Sequence, residues 1–140
     1  MSRAAIRDAL LADSQLRAIG LNASSVLVNY DGDQRPNDVV FLVLRYENED
    51  YIANVGRAIK HFTVWVHMYK KYSSDFVKID KILDIIDGVL GNMVHVPGLD
   101  GYTLTLAEPE GRSRDLRDDV YETICRNTSY RILSRQTEPV

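Results

Sequence analysis

Only one cysteine, Cys125, occurs in the sequence. That excludes an internal disulfide and any CxxC redox or zinc motif, and Cys125 reads as a small buried hydrophobe. An excess of one charge is also missing. Seventeen basic residues (17 Lys and Arg) against 20 acidic ones give a formal net charge of −3, so no whole-chain basic field draws the protein onto nucleic acid or an anionic membrane. Long apolar runs are lacking too. Val39-Val40-Phe41-Leu42-Val43-Leu44 is among the longest, far short of the roughly 20 residues that span a bilayer. At the N-terminus, Met1 to Asp8 alternates charged with apolar residues and leaves no room for a signal-peptide core, so synthesis and residence in a cytoplasm are expected. Neither GxGxxG nor a GxxxxGK phosphate loop occurs, and Ser73, Ser74, Ser113 and Cys125 lack a nucleophile elbow or a Cys/His signature around them. Nucleotide enzymes and hydrolases therefore have no footing in the sequence.

What is present is ordinary globular material: 140 residues, 45% hydrophobic and 26% charged, the size and composition of one domain spanning 1–140. Ser2 is placed to cap a first helix carrying Ile6, Leu10 and Leu11, followed by a short turn holding Leu16 and Ile19 and stopped by Gly20. Val26 to Tyr30 reads as a strand and Asp31 to Asp38 as a turn-rich loop. Val39 to Tyr46 is apolar enough for a central strand buried on both faces, ended by Glu47-Asn48-Glu49-Asp50. Tyr51 to Lys60 reads as a loop or irregular hairpin around Gly56. From His61 to Tyr69 the side chains sort by parity, Phe62, Val64, Val66 and Met68 against His61, Thr63, Trp65, His67 and Tyr69. The first set faces a core; the second is aromatic and suits a partly covered surface.

Ser74 or Asp75 is expected to cap a long helix from Phe76 to about Leu90, closed by Gly91. Its apolar residues, Phe76, Ile79, Ile82, Leu83, Ile85, Ile86, Val89 and Leu90, fill about half the helical wheel. Such an arc fits core packing, and also a helix shared between its own domain and a neighbour. After a loop with Val94, Pro97 and Gly98, Tyr102 to Leu106 alternates as a strand. Val120 to Arg126 and Tyr130 to Ser134 are strand-like with Asn127-Thr128 as a turn between them, and Gln136 to Val140 forms a polar tail. The order predicts an α+β single domain: a mainly antiparallel sheet with the long helix packed on one face, plus an N-terminal helix.

The remaining candidates for chemistry resolve into structural readings. His61 and His67 lie six residues apart on one strand, roughly 20 Å, and cannot share an ion; His95 has no ligand-spaced companion. Asp80, Asp84 and Asp87 make one stripe of the long helix, read as a solvated or subunit-facing charge row rather than an acid/base pair. Lys70-Lys71 between Tyr69 and Tyr72 reads as a strand end rather than a base-stacking cluster. The mixed-sign stretch Arg112-Ser113-Arg114-Asp115-Leu116-Arg117-Asp118-Asp119 reads as a loop suited to complementary pairing with another copy or another protein. No catalytic, cofactor or metal residue emerges. The candidate interface positions are Trp65, His67, Tyr69, Ile85, Arg112, Arg114, Asp115, Arg117, Asp118 and Asp119.

The ordered pattern extends over nearly the whole chain. A loop with Arg35-Pro36 precedes Phe41-Leu42-Val43-Leu44-Arg45. Phe62-Thr63-Val64-Trp65-Val66-His67 follows, then the capped helix Asp75-Phe76-Val77-Lys78-Ile79-Asp80-Lys81-Ile82-Leu83-Asp84-Ile85-Ile86. Gly101-Tyr102-Thr103-Leu104, Gly111-Arg112-Ser113-Arg114-Asp115-Leu116, Asp119-Val120-Tyr121-Glu122-Thr123, Arg126 and Tyr130-Arg131-Ile132-Leu133 complete it. This pattern resembles the tail terminator proteins of long-tailed phages that infect actinobacteria. The resemblance implies a non-enzymatic virion protein of the tail and neck that assembles as a homo-oligomeric, hexameric ring. Such a ring caps the head-proximal end of the tail tube, ends its polymerisation and joins it to the head. The implied partners are further copies, the major tail tube protein and the head-tail connector or stopper; no cofactor, membrane or sequence-specific nucleic acid is implied, although DNA passes through such a ring's lumen. The competing expectations are a head-tail connector or stopper of the neck, a monomeric ligand- or nucleic-acid-binding module, and a small enzyme.

Overall fold

A computed structural model describes residues 3–28, 39–52, 57–99 and 101–136, with the backbone path alone at 50–52, 57–58 and 136. The Ser2 cap, Asn29-Tyr30, the Asp31 to Asp38 loop with Arg35-Pro36, the region around Gly56 and the tail from Thr137 lie outside the described residues. Two short helices open the chain, α1 (Arg3–Ala12) and α2 (Ser14–Ile19). They are separated by Asp13, whose carboxylate accepts the Leu16 amide at 2.9 Å. Gly20 closes α2 in the left-handed conformation, φ 107°, and its amide reaches back to the Arg17 and Leu16 carbonyls.

Two long hairpins build the sheet. β1 (Val26–Val28) runs parallel to β2 (Val40–Ile52), which folds back antiparallel as β3 (Arg57–Tyr69). After α3 (Val77–Gly91) and the two-residue β4 (Val96–Pro97), the chain forms β5 (Tyr102–Arg112), β6 (Leu116–Asp118) and β7 (Thr123–Gln136). β5 and β6 both pair with β7 along one edge, interrupted by register shifts. β7 pairs with β3 on its other edge from Ile59↔Leu133 to Tyr69↔Thr123. The order across the sheet is β1-β2-β3-β7-β5-β4, with β6 beside the start of β7. The architecture is the α+β one expected, mainly antiparallel with α3 on one face.

That face holds the core. Leu42, Leu44, Phe62, Val64, Val66, Tyr130 and Ile132 from the strands meet Ile6 and Leu10 of α1, Leu16 of α2, and Ile79, Ile82, Leu83, Ile86 and Leu90 of α3, all buried in one cluster. Phe76, Ile85 and Val89 pack half-buried at its border. The α3 arc is therefore core packing, and Lys78 falls outside it, exposed.

Five local expectations require correction. The acidic stretch Glu47 to Asp50 does not end β2; the strand continues to Ile52 across a register shift between Tyr46 and Glu49. A run of exposed acids is acceptable because this part of the hairpin extends past the core, and Lys60 opposes Glu49. Tyr51 to Lys60 is likewise strand at both of its ends. Asn127-Thr128 is not a turn, since both residues lie inside β7 and pair with Trp65 and Val64; the reversal comes earlier, at residues 119–122. The Arg112 to Asp119 stretch is an edge rather than a free loop, with 113–115 and Asp119 outside strands. Finally, α3 has no left-handed stop at Gly91, which is its last helical residue; Asn92 follows in the right-handed region. At the other end, Asp75 takes the Val77 amide at 3.0 Å, although Phe76 occupies the cap position.

Candidate interaction surfaces

The second face of the sheet carries its own cluster. Alternation along β2 sends Phe41 and Val43 away from the helices, and the register lines them up with β3 and β7: Phe41 beside His67 and Cys125, Val43 beside Trp65 and Asn127. No helix contributes to this cluster among the described residues. Its cover comes instead from the 119–122 turn. Tyr121 meets Phe41 edge-on at 6.2 Å and His67 at 5.6 Å. The turn is held by the Asp118 carboxylate, which accepts the Val120 and Tyr121 amides at 3.0 Å each.

His67 sits at the centre of this face, 4% exposed. Its ring stacks on Phe41 at 4.8 Å and lies 6.1 Å from Trp65, and its Nδ1 shares a 2.8 Å hydrogen bond with the Thr123 hydroxyl. Burial pushes the imidazole down to about 4, with nearby Arg45 in the same direction and Asp118 opposing; the ring is neutral at physiological pH. Cys125, buried as anticipated, has its thiol pushed up to about 11, chiefly by burial and further by Asp118. Both effects hold it as the thiol at neutral pH. Beside His67 a small recess of about 120 Å³ opens between Val43, Arg45, Trp65, Asp118 and Tyr121. Trp65 is half-buried at its wall, and Arg45 is exposed and unpaired among the described residues.

The aspartate stripe of α3 is paired within the chain while staying partly solvated, with the Asp84 side chain 72% exposed and that of Asp80 48%. Arg126 reaches Asp80 at 2.6 Å, and Arg112 reaches Asp84 at 2.8 Å and Asp87 at 2.5 Å. Asp87 also accepts the hydroxyls of Tyr130 and Thr128. On the helical wheel the stripe lies about 110° from the centre of the apolar arc, at its border rather than opposite it. At that border, side chains from β5 and β7 rise beside the helix. Burial and the bond to Asp87 both raise the Tyr130 hydroxyl pKa. Partial burial lowers the Arg112 pKa, but the bonds to Asp87 and Asp84 outweigh it and leave the net shift upward.

The anticipated interface positions thus fall into three groups. Trp65, His67 and Tyr69 share the second face with Asp118. Ile85 borders the core. Arg112, Arg114, Asp115, Arg117 and Asp119 follow the β5–β6 edge, where Arg112 is held by α3, Asp115 lies 3.6 Å from Arg126 and Asp119 pairs with Lys70 at 2.8 Å. Arg114 and Arg117 are exposed. Phe41, Val43, Arg45 and Tyr121 belong to the second face and were not singled out from sequence; the signal for the first two was β2's apolar character on both parities. Lys71 sits over the rings of Tyr69 and Tyr72 at 5.6 and 5.1 Å.

A further groove, of about 520 Å³, lies where the start of α3 meets the open end of the β2–β3 hairpin. Its apolar floor includes Ile19, Val39, Met68, Tyr72 and Val77, and Lys78 and Lys81 stand at its rim. Among the described residues, no group of three or more His, Cys, Asp or Glu side chains is placed to hold a metal ion, and no helix is long and apolar enough to cross a membrane. No protein-family model matches the chain, and no curated protein matches it.

Proposed function

We propose that the chain is a ring-forming structural subunit of a phage virion, a tail terminator that caps the head-proximal end of the tail tube and joins it to the head connector. The observation that carries this reading is the second sheet face. Phe41, Val43, His67, Trp65 and Tyr121 form an aromatic layer that the chain's own helices leave uncovered among the described residues. Phe41, Val43 and His67 are buried under the 119–122 turn, so what this face offers a neighbouring subunit is its rim, half-buried Trp65 and Tyr121 beside exposed Arg45. The titratable groups support the same reading. The α3 aspartates are tied to arginines and the central histidine is neutral and buried, which suits rigid packing better than proton transfer.

The role follows from polymer logic. A tube of stacked rings shows the same adhesive surface after every addition, because contacts along its axis do not close. Ending it takes a subunit that matches that surface on one side and offers a different one on the other. Electron microscopy of lysates lacking the gene tests the assignment. The expected result is filled heads beside unattached tails, many of abnormal length. Free tails of uniform normal length would move the chain to the head-tail connector or stopper, and intact infectious virions would refute both.

A further inference from the structure

The groove at the start of α3 is a separate feature from the aromatic face. Three of the large apolar side chains left exposed on the molecule meet there: Val39 at 36%, Tyr72 at 51% and Val77 at 68%. Such clustering marks a contact surface rather than chance exposure. Its rim is positive. Lys78 and Lys81 are exposed and have no ion-pair partner among the described residues, while the one acid lining the groove, Asp75, is engaged in accepting the Val77 amide. The occupant this groove fits is an extended segment carrying acidic side chains.

The chain contains such a segment at the other end of the same hairpin. Glu47 and Glu49 are exposed on β2 and form no ion pair among the described residues, Glu49 standing in register with Lys60, and the strand continues through Asp50, Tyr51 and Ile52. Glu49 lies nine residues beyond Val40 along a strand paired with β3 on both sides of the register shift between Tyr46 and Glu49, so it stands roughly 30 Å from the groove. A paired hairpin cannot fold back on its own base. The two complementary surfaces can meet only between copies. Because the surfaces differ and sit at opposite ends of one rod-like element, their contact is head-to-tail, the kind that closes into a ring when the rotation per copy allows.

We infer that the acidic far limb of the β2–β3 hairpin, around Glu47 and Glu49, docks in the Val39/Tyr72/Val77 groove of the next copy, with Lys78 and Lys81 facing the glutamates. The inference deepens the ring reading by naming the contact between neighbours, and rests on that reading only for closure into a ring. Its test is sedimentation velocity of the full chain over rising concentration. The wild-type chain assembles. The reversals K78E/K81E and E47K/E49K each sediment as monomers, because like charges then face each other. The chain carrying all four substitutions assembles again. Val77→Asp, at an exposed position, also yields monomers.

Three results overturn the contact. They are a wild-type chain that stays monomeric throughout, a double variant that assembles as the wild type does, or a four-substitution chain that stays monomeric with a native circular dichroism spectrum. None of these bears on tail length in lysates, so the contact and the terminator role fail separately.

Discussion

Along α3, Asp80, Asp84 and Asp87 share a stripe and each faces an arginine, yet their removal should not cost alike. Asp87→Ala strips the acceptor from the Tyr130 hydroxyl and the Thr128 hydroxyl, whose residues are each 1% exposed. A buried hydroxyl left without a partner costs about 1–3 kcal/mol. The lost pair with Arg112, on side chains roughly one-quarter to one-third exposed, adds at most about 1 kcal/mol. The sum for Asp87→Ala is about 2–4 kcal/mol. Asp84 is 72% exposed and touches only Arg112, which keeps Asp87; its removal should cost no more than about 0.5 kcal/mol. Asp80→Ala falls between, near 1 kcal/mol by the order of a partly exposed pair, because Arg126 retains two bonds to the Ser113 carbonyl at 3.0 and 2.9 Å. Urea denaturation at constant m-value reads these differences directly. A double-mutant cycle with Tyr130→Phe isolates the hydroxyl, with an expected coupling to Asp87 of about 1 kcal/mol or more. Equal losses at Asp84 and Asp87, or additive effects of Asp87→Ala and Tyr130→Phe, would refute the reasoning that burial of the hydroxyl sets the ranking.

Other outcomes follow from separate parts of the molecule. Ile86→Ala, at a fully buried α3 position, should destabilise by about 2–5 kcal/mol; a denaturation loss below 1 kcal/mol would contradict its place in the core. His67 is held near 4 in the fold against 6.5 when exposed, so the unfolded chain binds the extra proton between these values. Stability should then fall as pH drops through that window, by up to about 1.4 kcal/mol per pH unit. Thermal melts of His67→Gln should lose that part of the slope. Gly111 has φ 145°, where an L side chain is strained although the space beside it is open. Gly111→Ala should therefore lower the melting temperature, by an amount corresponding to about 1 kcal/mol or more. On the proposed reading as a ring-forming virion subunit, exchanging Arg114 and Asp115 should weaken assembly and reduce virion yield, measured by light scattering and plaque titre; unchanged values would remove this edge from the interface.

The elements legible in the sequence were those whose side chains repeat with the period of the structure. Phe62 to Met68 alternates, and both parities proved buried to different degrees. Ile79, Ile82, Leu83, Ile86 and Leu90 recur at helical spacing and form the core arc. What escaped reading depended on partners distant in sequence. Asn127 and Thr128 look like turn formers locally, but inside β7 they have β3 on one side, and their polar groups are met by Ser113 and Asp87. The pairing of the α3 stripe was not legible because Arg112 and Arg126 lie 25 or more residues further along the chain. The second face could be half seen. Trp65 and His67 announced it, while Arg45 and Tyr121 joined it only through strand register and a turn.

The outer edges of the sheet bear on whether the chain stays dispersed. β1 and β4 are short, so among the described residues long stretches of β2 and β5 lack a strand partner on their outer side. Open backbone of that kind templates indiscriminate strand addition. Along β5, Pro109 removes one donor and register shifts at Leu104/Leu106 and Pro109/Gly111 bend the path. Along β2, the sequence Arg45-Tyr46-Glu47-Asn48-Glu49-Asp50 puts charge on nearly every second residue. Both edges therefore resist amyloid-like stacking, and proline or charge removal there should show first as precipitation rather than unfolding.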